Sequence, residues 1–273
     1  MLGASRASIE DLRGALDAIY ADPSQRDGLA AAGTGVLTVL DAADDERALR
    51  DLWADHATPE AVKDGVLEQL FGERIPRLSR DVAKQVVAAR WSNDGDMMDS
   101  LEEAGASLVL MSAEADGRLD RVEEELFRFG RAVDANADLQ MALTDPATDG
   151  STKAGIVSAL LDGKSESVTE ELLVHTAAHL RGRRIQAAIT ALSALAATRR
   201  DRVVAEVIAA TELDEDQKRR LAAALSKIQG RTVQLNVTVD PAVIGGIQVQ
   251  VGDEVIDGTL ATRLQQARRR LAG

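Results

Sequence analysis

Residues Leu49–Leu70 read LRDLWADHATPEAVKDGVLEQL, and residues Leu139–Leu160 read LQMALTDPATDGSTKAGIVSAL. A constant offset of 90 pairs Leu49 with Leu139, Asp55 with Asp145, Ala57 with Ala147, Thr58 with Thr148, Lys63 with Lys153, Gly65 with Gly155 and Leu70 with Leu160. With one residue added, Val82 falls on Leu173, Arg90 on Arg181, Met98 on Ile189 and Leu101 on Leu192. A period of that size exceeds the roughly 20–50 residues of a solenoid unit. It suits a small helical bundle, so the chain reads as carrying one bundle twice.

Working outward, the flanking segments are helical in pattern. Leu119, Val122, Leu126, Phe129 and Val133 step by three and four, which puts them on one helical face. Ile185, Ala188, Ile189, Leu192 and Ala196 do the same. Asp22-Pro23, Thr58-Pro59, Ile75-Pro76, Asp145-Pro146 and Arg181-Gly182 break the pattern into helices of ordinary length.

After Arg200 the period changes. Val203 to Ile208 is rich in β-branched residues and reads as a strand. Asp214 is placed as an N-cap, with Gln217 set for the reciprocal bond of a capping box, and Gly230 closes that helix. Val233, Leu235, Val237 and Val239 alternate with polar residues, as do Ile247, Val249 and Val251, and Val255-Ile256 makes a short third segment of the same kind. Leu260, Leu264 and Leu271 share one face of a last helix. The expected fold class is therefore mainly α with a small α/β domain: a helical bundle present twice, then a carboxy-terminal β-α-β-β-α unit. The expected divisions are 1–104, 105–200 and 201–273.

The 273 residues hold 32 basic and 45 acidic side chains, a net charge of −13, with 45% apolar residues, 2% aromatic and no cysteine. Binding to duplex nucleic acid needs a basic surface, so the charge argues against it. Disulfides, thiolate zinc sites and cysteine nucleophiles are excluded. Residues 1–115 hold 11 basic and 22 acidic side chains (−11), residues 116–199 hold 10 and 13 (−3), and residues 200–273 hold 11 and 10 (+1). The acidity thus belongs to the first copy. No apolar run near the amino terminus reads as a signal peptide, and none approaches the roughly 18 residues of a spanning helix. The expected location is cytoplasmic, with membrane association only through a partner.

Few residues suggest chemistry. Gly163-Lys164-Ser165 resembles the end of a phosphate loop, but position 158 is Ser where the motif needs Gly, and no strand precedes it. It reads as a helix-ending turn. His175 and His179 are four apart on a helix, yet Thr176 follows the first histidine where a metalloprotease helix carries Glu. The third histidine, His56, lies in the other copy. The pair reads as surface or partner-facing, with a metal hydrolase as the enzyme rival. Arg181, Arg183 and Arg184 flank Gly182 as a basic cluster, read either as an acidic-partner contact or as a turn with solvated flanks. No catalytic constellation, metal site or cofactor site is expected.

The run from Asp240 to Thr259, DPAVIGGIQVQVGDEVIDGT, resembles the signature of the delta subunit of F-type ATP synthase. That family is the bacterial counterpart of the oligomycin-sensitivity-conferring protein. Its signature positions here are Gly245, Gly246, Gly252, Asp253, Ile256, Asp257 and Gly258, which act in folding: Gly245-Gly246 for a bulge or close backbone approach, Gly252-Asp253 for a hairpin turn, and Asp257-Gly258 for a strand end. The likeness extends through roughly residues 105–273, and the chain resembles a long form with a duplicated amino-terminal helical region. It implies a non-enzymatic stator subunit, without cofactor. Such a subunit joins the amino-terminal helices of alpha subunits on the catalytic head to the peripheral-stalk b subunit, at the cytoplasmic face of the cell membrane. The resemblance further implies a helix-binding groove between the first and fifth helices of the bundle, near residues 101–115 and 168–180, with Val168, Leu172 and His175 as lining. The alternative is a helical adaptor in another cytoplasmic complex.

Overall fold

A computed structural model describes residues 3–200, 202–229, 232–240, 243, 246–251 and 254–257. The chain forms two compact units, residues 1–197 and residues 198–273.

The first unit is helical. Its elements are α1 (Ala4–Ala21), α2 (Leu29–Asp45), α3 (Arg47–Ala54), α4 (Glu60–Phe71), α5 (Arg77–Ala88), α6 (Asp94–Ala115), α7 (Leu119–Asp134), α8 (Ala137–Thr144), α9 (Gly150–Leu161), α10 (Ser167–Ala178) and α11 (Ile185–Arg200). The starts of α1 to α5 and of α6 to α10 differ by 90 throughout: 4 and 94, 29 and 119, 47 and 137, 60 and 150, 77 and 167. From α6 to α11 the offset becomes 91. The extra residue therefore enters after α10, later than the pairing of Val82 with Leu173 requires. Burial agrees: Ser79, Val82, Ala83, Val86 and Val87 of α5 are buried, as are Thr169, Leu172, Leu173, Thr176 and Ala177 of α10. Adjacent apolar residues at both places let sequence alone accept either register. The turn before α11 contains Arg181 and Gly182, both at positive φ (49° and 76°).

Both apolar stripes expected from the sequence are buried along their whole length on α7 and α11. Local polar chemistry marks the helix starts. Asn93, Asn136 and Asp149 each accept a hydrogen bond from an amide in the first turn of α6, α8 and α9. The Asp149 carboxyl is held well below the usual range by hydrogen bonds from Ser151 and Thr152. Lys63 and Lys153, paired by the repeat, are both buried. Lys63 Nζ donates to the carbonyls of Trp53 (2.5 Å) and Val87 (2.9 Å), in the last turns of α3 and α5. One cation thus serves two helix C-termini, where carbonyls lack intrahelical partners. Burial lowers its pKa, against the opposing pull of Asp55 and Glu60.

Helix α6 is the centre of this unit. It passes without interruption through residues 104 and 105. Its Ala106, Val109, Leu110 and Ala113 belong to a core with residues of α7 to α11. On another side α6 crosses α2 at glycine positions: a Cβ on Gly33 would lie 2.5 Å from Val109 Cγ2 and 2.7 Å from the Gly105 carbonyl oxygen. A helix apolar around its circumference is buried on all sides, and here two groups of helices provide the cover.

Among the described residues, the second unit is a four-stranded sheet with one helix. β1 (Arg202–Ala209) runs through α12 (Glu215–Gln229) into β2 (Thr232–Val239), followed by β3 (Ile247–Val251) and β4 (Glu254–Asp257). The order is β2-β1-β3-β4. β1 and β2 are parallel, with Val203 opposite Val233, and the crossover helix makes that pairing possible. β3 is antiparallel to β1 and β4 to β3. Ala205, Val207, Leu225, Val233, Val249 and Val251 form the core. The capping box is present: Gln217 N donates to Asp214 Oδ1 (2.7 Å) and Asp214 N donates to Gln217 Oε1 (2.9 Å). The expected last helix lies outside the described residues.

The crossing of α2 and α6 has a direct test. Gly33→Ala is expected to destabilise the helical unit by about 1–3 kcal/mol, because the backbone of α6 stands where the methyl must go. Gly14→Ala, in α1 with nothing within 4 Å of the added carbon, is expected to be neutral or stabilising by up to about 1 kcal/mol. Urea denaturation of the two variants checks both signs.

Candidate functional site

Val168 and Leu172 are buried in the core shared by α6 to α11, with relative exposures of 5% and 2%. They pack against the helical interior. His175, one turn further along α10, makes a polar contact to another helix: its Nε2 lies 2.8 Å from Asp41 Oδ1 of α2. His179 Nδ1 approaches the same oxygen at 3.4 Å. The two imidazole rings stack, with centroids 4.7 Å apart and planes 19° from parallel. Thr34 Oγ1 donates to Glu171 Oε1 two turns earlier on α2. The contacts run in one direction along both helices, Thr34 to Asp41 beside Glu171 to His179. Thus α2 lies against α6 through its glycine and against α10 through a polar seam.

His56 is elsewhere: its Nε2 lies 2.7 Å from the Trp91 carbonyl. Asp41 was not singled out by sequence reading. The available signal is that Thr34, Thr38 and Asp41 recur on one face of an otherwise apolar helix, but periodicity does not tell which helix that face meets.

The basic cluster finds acids within its own chain. Arg181 pairs with Asp99 (2.9 Å) and with Glu102, and Arg183 Nη2 donates to Glu102 Oε1 at 2.7 Å. Arg181 and Glu102 are largely buried, so this is a fixed contact between α6 and the turn before α11. Arg13 of α1 makes a two-point contact with Glu103 of α6 at 2.5 and 3.0 Å. Gly163-Lys164-Ser165 is the turn after α9: Gly163 has φ 65° and Lys164 Nζ donates to the Leu160 carbonyl (3.1 Å). Its lysine therefore closes a helix end.

A cleft of about 540 Å3 opens between α1 and the end of α5, lined by Ala4, Ala7, Ser8, Leu12, Val86 and Trp91 among others. Ser8 Oγ donates to the Arg90 carbonyl (2.7 Å), and Ser92 N donates to Ser5 Oγ (2.8 Å), which fixes the two walls. By the offset of 90, α1 and α5 correspond to α6 and α10.

In the second unit, Gly246 has φ 88° immediately before β3, and Ala210 N donates to its carbonyl at 3.4 Å. A φ of that sign favours glycine, which has no Cβ to clash. Ile256 pairs with Val249 and Asp257 with Gln248 in the β3–β4 ladder. Val251 is opposite Glu254 at the end of that ladder. Gly245, Gly252, Asp253 and Gly258 lie outside the described residues.

The family model described as ATP synthase delta (OSCP) subunit matches residues 105–271. The chain belongs to this family. The ATP synthase subunit delta of Streptomyces griseus subsp. griseus is 42% identical over 273 residues, covering 100% of both chains. That of Streptomyces coelicolor is 41% identical over 272 residues, covering 100% of this chain and 98% of the other. That of Nocardia farcinica is 42% identical, covering 98% and 97%. A chain of the Toxoplasma gondii mitochondrial ATP synthase hexamer aligns with 62% of this chain and 95% of its own length at 19% identity and a TM-score of 0.27, too low to carry an argument. The family model begins within α6, so α1 to α5 lie before it, whereas the Streptomyces relatives extend over them. Among the described residues, no helix is long and apolar enough to cross a membrane.

The Arg181–Glu102 contact gives a second prediction. Glu102→Gln is expected to cost about 2 kcal/mol, since two guanidinium groups lose a charged acceptor. Arg183→Gln, at the more exposed partner, is expected to cost less, about 1 kcal/mol or below. Thermal unfolding of both variants checks the order.

Proposed function

We propose that this chain is the stator subunit of a proton-translocating ATP synthase. It joins alpha subunits at the top of the catalytic head to the peripheral-stalk b subunit, and so lets proton flow drive ATP synthesis. The observation that carries the reading is the family match over residues 105–271 together with full-length relatives named ATP synthase subunit delta. The role is a mechanical one, fulfilled by multi-contact binding without chemistry of its own. The subunit is peripheral, held at the cytoplasmic face of the membrane through the complex.

We read the recurrence of helix boundaries at 90 residues as a bundle present twice, with α6 serving as the last helix of the first copy and the first of the second. On that reading 1–104, 105–200 and 201–273 remain useful divisions, although the first two share one continuous helix. The α/β unit holds the stalk and the bundles hold the head.

The groove expected between α6 and α10 already has α2 lying against both helices. An alpha helix docking at Val168, Leu172 and His175 must therefore displace or accompany α2. Its counterpart between α1 and α5 is open and apolar at its floor, with Leu12, Val86 and Trp91. We assign the first copy's cleft as the primary seat for an amphipathic alpha-subunit helix. The concentration of negative charge in residues 1–115 favours a partner helix with basic flanks.

Two outcomes test these assignments. A chain ending at Arg200 is expected to keep its helical circular dichroism and to bind the head while losing recruitment of b; retained recruitment of b would refute the assignment of the stalk site. Ala7→Trp, at an exposed cleft position, is expected to weaken binding of a peptide spanning the alpha amino-terminal helix at least tenfold, about 1.4 kcal/mol. Isothermal titration at constant salt measures it, and unchanged affinity places the peptide elsewhere.

A further inference from the structure

We propose that Asp41, His175 and His179 form a binding site for a divalent transition-metal ion of the zinc type, which clips α2 to α10. The three side chains each offer one ligand atom, and these atoms lie within 4.8 Å of one another. Asp41 Oδ1 is 2.8 Å from His175 Nε2 and 3.4 Å from His179 Nδ1. A tetrahedral ion with bonds of about 2.0–2.1 Å spaces its ligand atoms roughly 3.3 Å apart. A small outward shift of the donors therefore opens the centre of the cluster to an ion. The stacking of the rings, 19° from parallel, turns both imidazole edges toward one carboxylate oxygen.

The donor set selects the class of ion. Two imidazoles and one carboxylate suit zinc and its neighbours, whereas calcium and magnesium take all-oxygen shells. The nitrogens that face Asp41, Nε2 of His175 and Nδ1 of His179, are the ones that would bind the ion. The side chains retain exposures of 14% for His175, 27% for His179 and 30% for Asp41, which leaves a route from solvent and room for water at a fourth position. Histidines four apart on one helix give a local chelate. Asp41 adds a ligand 134 residues away from His175, so the ion would fasten together two helices related by no local constraint. The role is structural: no nucleophile or substrate cleft adjoins the cluster among the described residues, and the site stands independently of the stator reading.

The test uses the full chain, stripped with a chelator and titrated with Zn2+, with Co2+ as the visible-absorption probe of ligand type. One ion per chain is expected. Asp41→Asn, His175→Gln and His179→Gln are each expected to weaken binding at least about a hundredfold, as loss of a direct ligand should exceed the 10- to 100-fold range typical of outer-shell partners. His56→Gln is expected to leave binding unchanged. At a free ion concentration about a hundred times the dissociation constant, unfolding of the helical unit should shift upward by roughly 5–10 °C. That shift should be absent in His175→Gln. His179 is the terminal, more exposed histidine, so His179→Gln is the variant that tests ligation with least disturbance to the fold, checked by circular dichroism. Parental affinity in folded His179→Gln overturns the proposal, and so does the lack of saturable Zn2+ binding by the parent chain.

Discussion

The close crossing of α2 on α6 at Gly33 and Gly105 is the constraint on which the helical unit depends. A Cβ at either position would meet backbone or side-chain atoms of the other helix below 3 Å. The approach lets α2 lie flat on α6 while the opposite side of α6 supplies Ala106, Val109, Leu110 and Ala113 to the core of α7 to α11. Small residues make this possible. With only 2% aromatic residues in the chain, helices pack through Ala, Gly, Val and Leu, and interaxial distances shorten accordingly. One helix is then buried from two sides, and the two groups of helices form one compact unit.

That arrangement changes what the second group offers to a partner. On the α6–α10 side lies α2, with Asp41 set against His175 and Thr34 against Glu171. The corresponding side of the first group, between α1 and α5, keeps an open cleft. Charge follows the same division: the first copy carries −11 and the residues from 200 onward +1. The acidic excess therefore lies in the residues that include the cleft walls and not in those of the sheet. Several of those acids are spent on fixed internal contacts, as Glu103 with Arg13 and Glu102 with Arg181 and Arg183, so net charge overstates what a partner meets.

Much of the fold was legible because helical and extended periods leave different marks. The stripes on α7 and α11 are buried as their spacing requires, β1 falls on the β-branched run after Arg200, and β2 and β3 fall on the alternating segments. The capping box at Asp214 and Gln217 needed only local chemistry. The offset of 90 read between Leu49–Leu70 and Leu139–Leu160 is also the offset between the helix starts of α1 to α5 and α6 to α10. The added position was misplaced because Val82-Ala83 and Leu172-Leu173 present apolar pairs that satisfy neighbouring registers, whereas helix boundaries do not slip. The site was less legible. Val168 and Leu172 carry the apolar spacing that both a groove wall and a core require, and only burial separates the two. Arg181 and Arg183 read either as an acidic-partner contact or as a turn with solvated flanks, and the structure pairs both with α6 of the same chain.

The sequence by itself determined which segments are helix or strand, that residues match at an offset of 90, and, through Asp240–Thr259 and residues 105–271, the family. These are properties of local spacing and of linear pattern. The tertiary structure alone decided that α6 is shared, that α2 rather than solvent lies beside α10, and that Asp41 meets His175 and His179 across 134 residues of chain. The physical reason is that an amphipathic period fixes which face of a helix seeks cover but is silent on what covers it. That choice is made by shape, here by glycines small enough to let two helices touch.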